Sequence, residues 1–261
     1  MGSHVSEILE VLRYKELLRN LVTRDIKVRY KRSVLGFLWV MLNPLLMMLI
    51  LSMVFSELFR VSTINYTAYL LSGIILWNFF SQSTSTAMAS LLVNSNLIKK
   101  IYIPKVIFPL SVVLSAIVNF LFSIVPLFLI LKLTGTPLVG NIYLLPLVIV
   151  LVSLFSLGIS LIISTLTVFF HDTVYIYEVV LLAWMYMTPI FYPESIVPRK
   201  FIFIFYLNPF YYFVSIFRGV LYLDVPQFFE KLLYSAMFSL VVMVAGWLIY
   251  SRYKDKVVFY L

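Results

Sequence analysis

The stretch RDIKVRYKRSVLGFLWVMLNP, residues 24–44, joins a dense cluster of basic residues to a long apolar run. Arg32 is the last charged residue before that run, and no charged side chain occurs from Ser33 to Ser56. A helix rises about 1.5 Å per residue, so this run is long enough to cross a hydrocarbon core about 30 Å thick. Basic residues flank membrane spans preferentially on the cytoplasmic side. We therefore predict that the first span begins here, with its N-terminal end in the cytoplasm.

The composition of the whole chain is typical of an all-α integral membrane protein. Of its 261 residues, 62% are hydrophobic and only 12% are charged, a balance that excludes an ordinary soluble domain. The net charge of +9 lies mostly outside the apolar runs, which favours membrane lipid headgroups over nucleic acid as the partner. The sequence has no cysteine, which excludes disulfides and thiolate chemistry. We expect no cleavable signal peptide, because the N-terminus is polar and the first apolar run is too long and too late.

The segment before the first span has the pattern of an amphipathic helix. Its apolar arc consists of Leu17, Leu18, Leu21 and Val22, and its polar arc of Glu16, Arg19, Asn20 and Thr23. We predict that this helix, within an N-terminal segment of residues 1–32, lies in the headgroup plane. An ordinary soluble helix is the alternative. Asp25 interrupts the apolar arc, and we expect it to pair with Arg29 or to mark the helix end.

Charge-free runs divide the rest of the chain into one transmembrane domain, residues 33–251, and a cytoplasmic tail, residues 252–261. We predict six spans, at about residues 33–57, 66–92, 106–132, 142–170, 174–192 and 231–251. Residues 193–228 should form a short re-entrant or periplasmic helical hairpin, interrupted at Asn208-Pro209. A seven-span alternative would make residues 201–217 a further crossing. Six spans place 14 of the 20 Lys and Arg residues on the cytoplasmic side, which favours that count.

Polar and aromatic side chains within the predicted spans indicate where helices meet or where a substrate passes. Residues 81–86, SQSTST, need partners in other helices or a wet cavity. Ser156, Ser160 and Ser164 recur every four residues and predict a close helix contact. Aromatic rings and hydroxyls would suit a glycan pathway, and ordinary core packing is the alternative for each of them. The candidate channel-lining residues are Trp39, Asn43, Trp77, Phe80, Ser81, Thr84, Tyr177, Trp184 and Thr188.

The sequence lacks the motifs of an enzyme or of an ATPase. It has no glycine-rich phosphate loop ending in Lys-Ser or Lys-Thr, no HExxH and no nucleophile elbow. Two histidines, His4 and His171, are too few to form a metal site with each other. Carboxylates are nearly missing from the spans, whereas ion-coupled transporters need ionisable groups there. We predict that this chain binds no metal or cofactor and that any transport is powered from outside it.

A short basic segment, residues 94–105, separates the second and third predicted spans. Its three lysines place it in the cytoplasm. It is either a plain basic loop or a short helix whose Ile101, Tyr102 and Ile103 dock on a soluble partner. A chain without its own energy source makes the docking interpretation attractive.

Five segments, in order along almost the whole chain, carry a family resemblance. They are RDIKVRYKRSVLGFLWVMLNPL (24–45), YLLSGIILWNFF (69–80), NLIKKIYIPKVIFPL (96–110), MTPIFYPESIVP (187–198) and LNPFYYFVSIFRG (207–219). Together they resemble the polysaccharide-export permeases of ABC transporters, above all the O-antigen export permeases, with teichoic-acid export permeases as near relatives. The resemblance supports six spans, because residues 193–228 match short periplasmic helices of that family.

The resemblance also implies an assembly and a substrate. Two copies of the permease would pair with two copies of a separate ATPase subunit, which binds ATP and Mg. The substrate would be a polysaccharide carried on undecaprenyl diphosphate and moved from cytoplasm to periplasm across the bacterial inner membrane. Both termini of the permease would be cytoplasmic.

The resemblance further implies roles for particular residues. Coupling to the ATPase would involve Asn96, Lys99, Lys100, Ile101, Tyr102, Ile103 and Pro104, with a smaller contact at His171 and Asp172, where the family often has Arg-Asp. The lipid diphosphate would be met by Arg24, Lys27, Arg29, Lys31 and Arg32.

Two other functions remain open from the sequence. One is a multispan enzyme that acts on a lipid-linked sugar, but Asp172, Glu178, Glu194 and Asp224 are scattered over both predicted sides. The other is an ABC permease for a small lipid or a drug, for which a dry apolar channel would be expected.

Overall fold

The computed structural model describes residue 11 and residues 13–59, 65–138 and 141–261, all of them in helices, turns or irregular segments without a strand. The α-helices are α1 Lys15–Arg29, α2 Trp39–Phe59, α3 Tyr66–Met88, α4 Ser90–Val93, α5 Ser95–Lys100, α6 Ile107–Leu133, α7 Leu145–Phe169, α8 Thr173–Tyr186, α9 Ile202–Leu207, α10 Pro209–Leu221 and α11 Phe228–Tyr260. The all-α prediction is therefore confirmed. Residues 1–10 of the predicted N-terminal segment, His4 among them, lie outside the described residues.

Four of the described helical segments are long and apolar enough to cross a membrane: Gly36–Phe55, Ile107–Leu133, Ile142–Phe169 and Phe228–Tyr260. The pair Arg199–Leu207 and Pro209–Leu221, bent by 89°, adds a fifth if it forms a single span. The chain is thus a multi-pass membrane protein with fewer strongly apolar helices than the six predicted spans. Two predicted spans account for the difference. The second corresponds to α3, which is uncharged but rich in polar residues, and the fifth to α8, which has only 14 residues.

One end of the bundle, called the proximal end here, is held together by residues from distant parts of the chain. Its apolar cluster contains Leu21 of α1, Ile98 and Ile103 in and after α5, Val168 of α7 and Val257 of α11. The first and last described helices, the connection that leads from α3 to α6 and the connection that leads from α7 to α8 therefore lie at the same end.

Three other connections meet at the opposite, distal end. The Asn65 amide, just before α3, donates a hydrogen bond to the Thr136 hydroxyl, just after α6. The Tyr66 hydroxyl donates to the carbonyl oxygen of Phe191, which follows α8, at 2.6 Å. The chain accordingly runs from the proximal to the distal end and back three times.

Helix α3 lies at the centre of the bundle, where most of its side chains are buried. Phe80 has no exposed surface and packs against the rings of Trp77, Phe155, Trp184 and Phe210, with centroids 4.9–5.7 Å apart. The polar run that follows does not depend on other helices for all its hydrogen bonds. The hydroxyls of Ser83, Thr84 and Ser85 donate to carbonyl oxygens three or four residues earlier in α3, at 2.5–2.9 Å.

Helices α7 and α11 approach each other backbone to backbone, and glycine makes this contact possible. A Cβ atom on Gly158 would lie 2.6 Å from the Val242 carbonyl oxygen, and one on Gly246 would overlap the Gly158 carbonyl oxygen. Small residues let two backbones approach in this way. The predicted serine face is fully buried, but it lies about half a turn away from Gly158. Glycine, rather than the serines, therefore sets the closest approach.

Helix α1 packs its apolar arc on the protein. Leu21 is buried in the proximal cluster, with Leu17 and Leu18 packed beside it. Both expectations for Asp25 are wrong: it pairs with Arg24 at 2.9 Å rather than with Arg29, and the helix continues past it to Arg29. The reason is that Arg24 is adjacent to Asp25 in the sequence, so its guanidinium can contact the carboxylate directly.

Helix α11 is longer than its predicted span. With 33 residues it measures about 50 Å. The predicted tail, residues 252–261, therefore continues this helix almost to the last residue and forms part of the proximal end.

The hairpin formed by α9 and α10 turns at a proline preceded by a capping residue. Pro209 is the first residue of α10, where its missing N–H is not needed. The side-chain oxygen of Asn208 accepts a hydrogen bond from the Phe210 N–H at 2.9 Å. Phe210 packs on Phe80 near mid-bundle, whereas the other end of α10 lies at the distal end. The hairpin therefore dips into the bundle and returns, as the re-entrant prediction anticipates.

Candidate functional site

The predicted coupling segment combines a short helix with an extended, exposed stretch at the proximal end. The side chains of Asn96, Lys99 and Lys100 in α5 are exposed. Ile101 and Tyr102, which follow, are 53% and 86% exposed. Large apolar side chains exposed in this way are typical of an interaction surface. The half-buried Pro104 ends this exposed stretch.

The segment is anchored on both sides of these exposed residues. Ile103 is only 8% exposed and belongs to the proximal cluster, so it supports the segment instead of docking a partner. The Tyr14 hydroxyl donates a hydrogen bond to the Tyr102 carbonyl oxygen at 3.0 Å. The Lys105 ammonium donates to the Lys254 carbonyl oxygen at 2.7 Å, and burial lowers the pKa of Lys105.

A groove of about 540 Å³ separates the coupling segment from the last turns of α11. Tyr250, Asp255, Val258 and Phe259 form the α11 side of this groove. Phe259 is strongly exposed. The exposed apolar surface therefore continues from Tyr102 onto the C-terminal helix, a contribution that the sequence analysis missed.

His171 and Asp172 are exposed in the turn between α7 and α8. Val168, one turn earlier, lies in the proximal cluster with Ile103. The two predicted coupling contacts are therefore at the same end of the bundle.

The five predicted diphosphate-binding residues occupy different environments. Arg24 is engaged by Asp25 and also donates to the Asn94 side-chain oxygen at 3.1 Å, so it ties α1 to the coupling segment. Lys27, Arg29, Lys31 and Arg32 are exposed. Of the five, Arg29 lines a cavity.

That cavity, about 360 Å³ in volume, lies between α2, α3 and α6 and has a mixed polar and aromatic lining. Its lining residues are Arg29, Tyr30, Trp39, Val40, Asn43, Pro44, Ile75, Asn78, Phe79, Ser81, Gln82, Ala116, Asn119, Phe120 and Ser123. The Tyr30 hydroxyl donates to the Asn119 side-chain oxygen at 3.5 Å. Burial raises the pKa of Tyr30, so its hydroxyl stays a neutral donor. The cavity therefore brings Arg29, from the predicted lipid-binding set, next to members of the predicted channel-lining set.

The predicted channel-lining residues fall into two groups. Trp39, Asn43 and Ser81 face the cavity. The others lie within the helix packing of a single protomer: Trp77, Phe80, Thr84, Tyr177 and Thr188 are buried and Trp184 is half-buried. Among them, the Tyr177 hydroxyl donates to the Thr84 hydroxyl at 2.7 Å. The Trp184 indole N–H donates to the Asn208 oxygen at 2.6 Å, which fixes the tip of the hairpin to α8.

The distal end contains a buried arginine, which is not among the predicted site residues. Arg218 of α10 is 3% exposed. Its guanidinium donates to the carbonyl oxygens of Tyr69, Pro189 and Ile190 at 2.9–3.3 Å, and it stacks 3.4 Å from the centre of the Tyr69 ring. No carboxylate pairs with it among the described residues. Its positive charge is thus stabilised by the carbonyl dipoles of α3 and of the segment after α8. The same hydrogen bonds connect α10 to both of these elements.

Comparison with known proteins places these features in a family. The profile of the ABC-2 type transporter family matches residues 16–222. Two proteins of Klebsiella pneumoniae named O-antigen export system permease protein RfbA are similar to this chain. One is 32% identical over 92% of this chain and 93% of its own length, and the other is 35% identical over 74% and 75%. A protein of the same name from Myxococcus xanthus is 29% identical over 95% of this chain and 96% of its own length.

Proposed function

Because this chain belongs to the ABC-2 type transporter family, we propose that it is the permease subunit of an ATP-driven polysaccharide exporter. Its substrate is a polymer on undecaprenyl diphosphate, moved from cytoplasm to periplasm. The resemblance read from the five sequence segments is confirmed at the level of the family. The relatives are named permeases, so the chain is a transport subunit. We therefore do not retain the alternative of a multispan enzyme.

The proposed topology has six crossings, with both termini in the cytoplasm of a bacterium whose inner membrane holds the protein. It is supported by the three returns of the chain to the proximal end and by the concentration of basic residues there. In this arrangement α3 is shielded from lipid by its neighbours, which explains how a polar helix crosses the membrane.

The proposed assembly has two permease copies and two ATPase subunits, and ATP and Mg bind to the latter. Permeases of ABC transporters work with ATPase partners. The surface formed by Ile101, Tyr102 and the exposed His171 and Asp172 is the proposed docking site. Its support is the exposure of apolar groups on a segment anchored by Ile103 and Lys105.

The observation that carries the substrate assignment is the cavity that extends from Arg29 to Asn78 and Gln82. A guanidinium binds phosphate oxygens by charge-assisted hydrogen bonds. Amides and hydroxyls beyond it suit a glycan, whereas a small lipid or a drug would favour a dry apolar cavity. The direct test is to purify the permease with its ATPase in lipid and measure ATP hydrolysis and polymer export. A permease that never retains an ATPase would contradict the proposal.

The first prediction concerns coupling. Replacing Ile101 and Tyr102 together by alanine should leave basal ATP hydrolysis intact and reduce hydrolysis-driven export about tenfold or more, because central interface side chains carry most of the binding energy. Leu138 and Tyr143, exposed apolar residues near the distal end, provide a matched control when replaced by alanine. Unchanged coupling in the Ile101 and Tyr102 variant would remove the docking role.

The second prediction concerns the lipid diphosphate. Changing Arg29 and Arg32 to glutamate should weaken export about tenfold without dissociating the ATPase, because attraction for the phosphates becomes repulsion. Arg252 and Lys256, two exposed basic residues at the proximal end of α11, give a control with the same change in net charge. Export is measured at several salt concentrations. Normal export by the Arg29 and Arg32 variant would exclude this access site.

A further inference from the structure

The cavity between α2, α3 and α6 is lined by carboxamides that have no partner in the part of the chain described. The side chains of Asn43, Asn78 and Gln82 make no hydrogen bond to any described residue. Each carboxamide offers two N–H donors and an oxygen acceptor. Asn43 and Gln82 are exposed at the open side of the cavity and Asn78 is half-buried, and polar groups facing the membrane without a partner are costly where water is scarce. Three such groups around one cavity therefore face a space that holds water or a polar ligand.

The remaining lining gives this space the character of a sugar-binding site. Its volume of about 360 Å³ lies in the range of small-molecule sites, which combine an apolar wall with a few polar groups. Trp39 and Phe79 supply aromatic surface for the C–H face of a sugar ring. No carboxylate lines the described part of the cavity, so nothing there favours a cation over an uncharged hydroxyl-rich group.

The position of Arg29 fixes which part of the substrate would reach the amides. It is the one charged residue in the described lining. We propose that the cavity holds the first sugar of the lipid-linked polysaccharide, next to the diphosphate at Arg29, and that Asn43, Asn78 and Gln82 select this sugar by hydrogen bonds. This inference rests on the proposed function and names the part of the substrate that the permease recognises.

The test compares two lipids on the purified permease–ATPase complex in lipid. One is undecaprenyl diphosphate, and the other is the same lipid bearing a single N-acetylglucosamine. The concentration giving half-maximal stimulation of ATP hydrolysis is measured for each. In the unchanged protein we expect the sugar to lower this concentration about tenfold, as one or two net hydrogen bonds would.

The variants remove the amides with little change in shape. Asn78→Leu combined with Gln82→Met should abolish the difference between the two lipids. Thr86→Val, an exposed position of α3 outside the cavity lining, is the matched control and should keep the difference. Asn43→Leu, on α2, repeats the test independently of α3. Melting temperatures should not fall, because the amides have no partners among the described residues.

The possible outcomes separate this inference from the proposed function. Stimulation of the unchanged protein by neither lipid would contradict the proposed function itself. Equal stimulation by both would overturn only the sugar site, as would a variant that still distinguishes them.

A second copy of the chain is the other group that could cover these amides. Since the sequence has no cysteine, an Asn43→Cys variant carries a single thiol. A disulfide between copies in high yield would overturn the sugar site, because the partner would then fill the cavity. Its absence, with the sugar effect present, supports the site.

Discussion

Replacing Gly246 by alanine is expected to destabilise the protein by about 3 kcal/mol or more, the largest effect of any single methyl group that we foresee. The added Cβ would overlap the carbonyl oxygen of Gly158 and lie 3.0 Å from the Gly158 Cα and carbonyl carbon. All three are backbone atoms, so no side chain can rotate away. Helices α7 and α11 would have to separate, although alanine favours the helix itself by about 1 kcal/mol.

The measurement is the melting temperature and the yield of monodisperse protein in detergent. Val244→Ala, on the exposed side of α11 only two residues away, is the control and should change both quantities little. The reciprocal variant Gly158→Ala should resemble Gly246→Ala, because its Cβ would lie 2.6 Å from the Val242 carbonyl oxygen. A Gly246→Ala protein that melts like the unchanged one would show that the helices do not approach this closely.

Replacing Arg218 by methionine is expected to release the distal hairpin and abolish export. The change removes the hydrogen bonds to Tyr69, Pro189 and Ile190, and their loss in a buried site costs about 2 kcal/mol or more. Arg218→Lys should restore only part of the function, because one ammonium group cannot reproduce the planar fork or the stacking on Tyr69.

Limited proteolysis within residues 193–208, together with export, measures this effect. Arg199→Met removes an exposed arginine near the same hairpin and should leave the proteolysis rate unchanged. The ATPase should remain bound in every variant, because the hairpin lies far from the proximal end. Full export by Arg218→Met would contradict a role for this hydrogen-bond network in holding the hairpin.

The fold class and several helix positions could be predicted because they depend on local composition. Lys105, Lys132 and His171 bound two charge-free runs, and α6 and α7 begin and end within a few residues of the predicted spans. The resemblance to polysaccharide-export permeases was correct at the level of the family. The six-span count depended on α3 and α8, whose polarity or length gives a weaker signal.

The parts that could not be predicted depend on contacts between distant residues. Nothing near Arg218 in the sequence indicates that its partners are carbonyl groups almost 30 and 150 residues away. The cavity amides did leave a signal, since Asn78 and Asn119 are uncharged polar residues inside apolar runs. Asn43 was among the predicted channel-lining residues and Gln82 lies in the polar run 81–86, but the pattern of rings and hydroxyls did not point to Asn78 or Asn119.

The composition of the proximal cluster has a consequence for how the transporter is made. The cluster joins Leu21 of α1 to Val257 of α11, which lie at opposite ends of the described fold's helix order. Val257 leaves the ribosome long after Ile101 and Tyr102, so the platform beneath these two residues stays incomplete until α11 has been synthesised. A permease without a folded α11 would lack this support, and the ATPase that we propose to dock there would engage only permeases in which α11 is in place. The order of synthesis would thereby delay binding of the ATPase until the permease has folded.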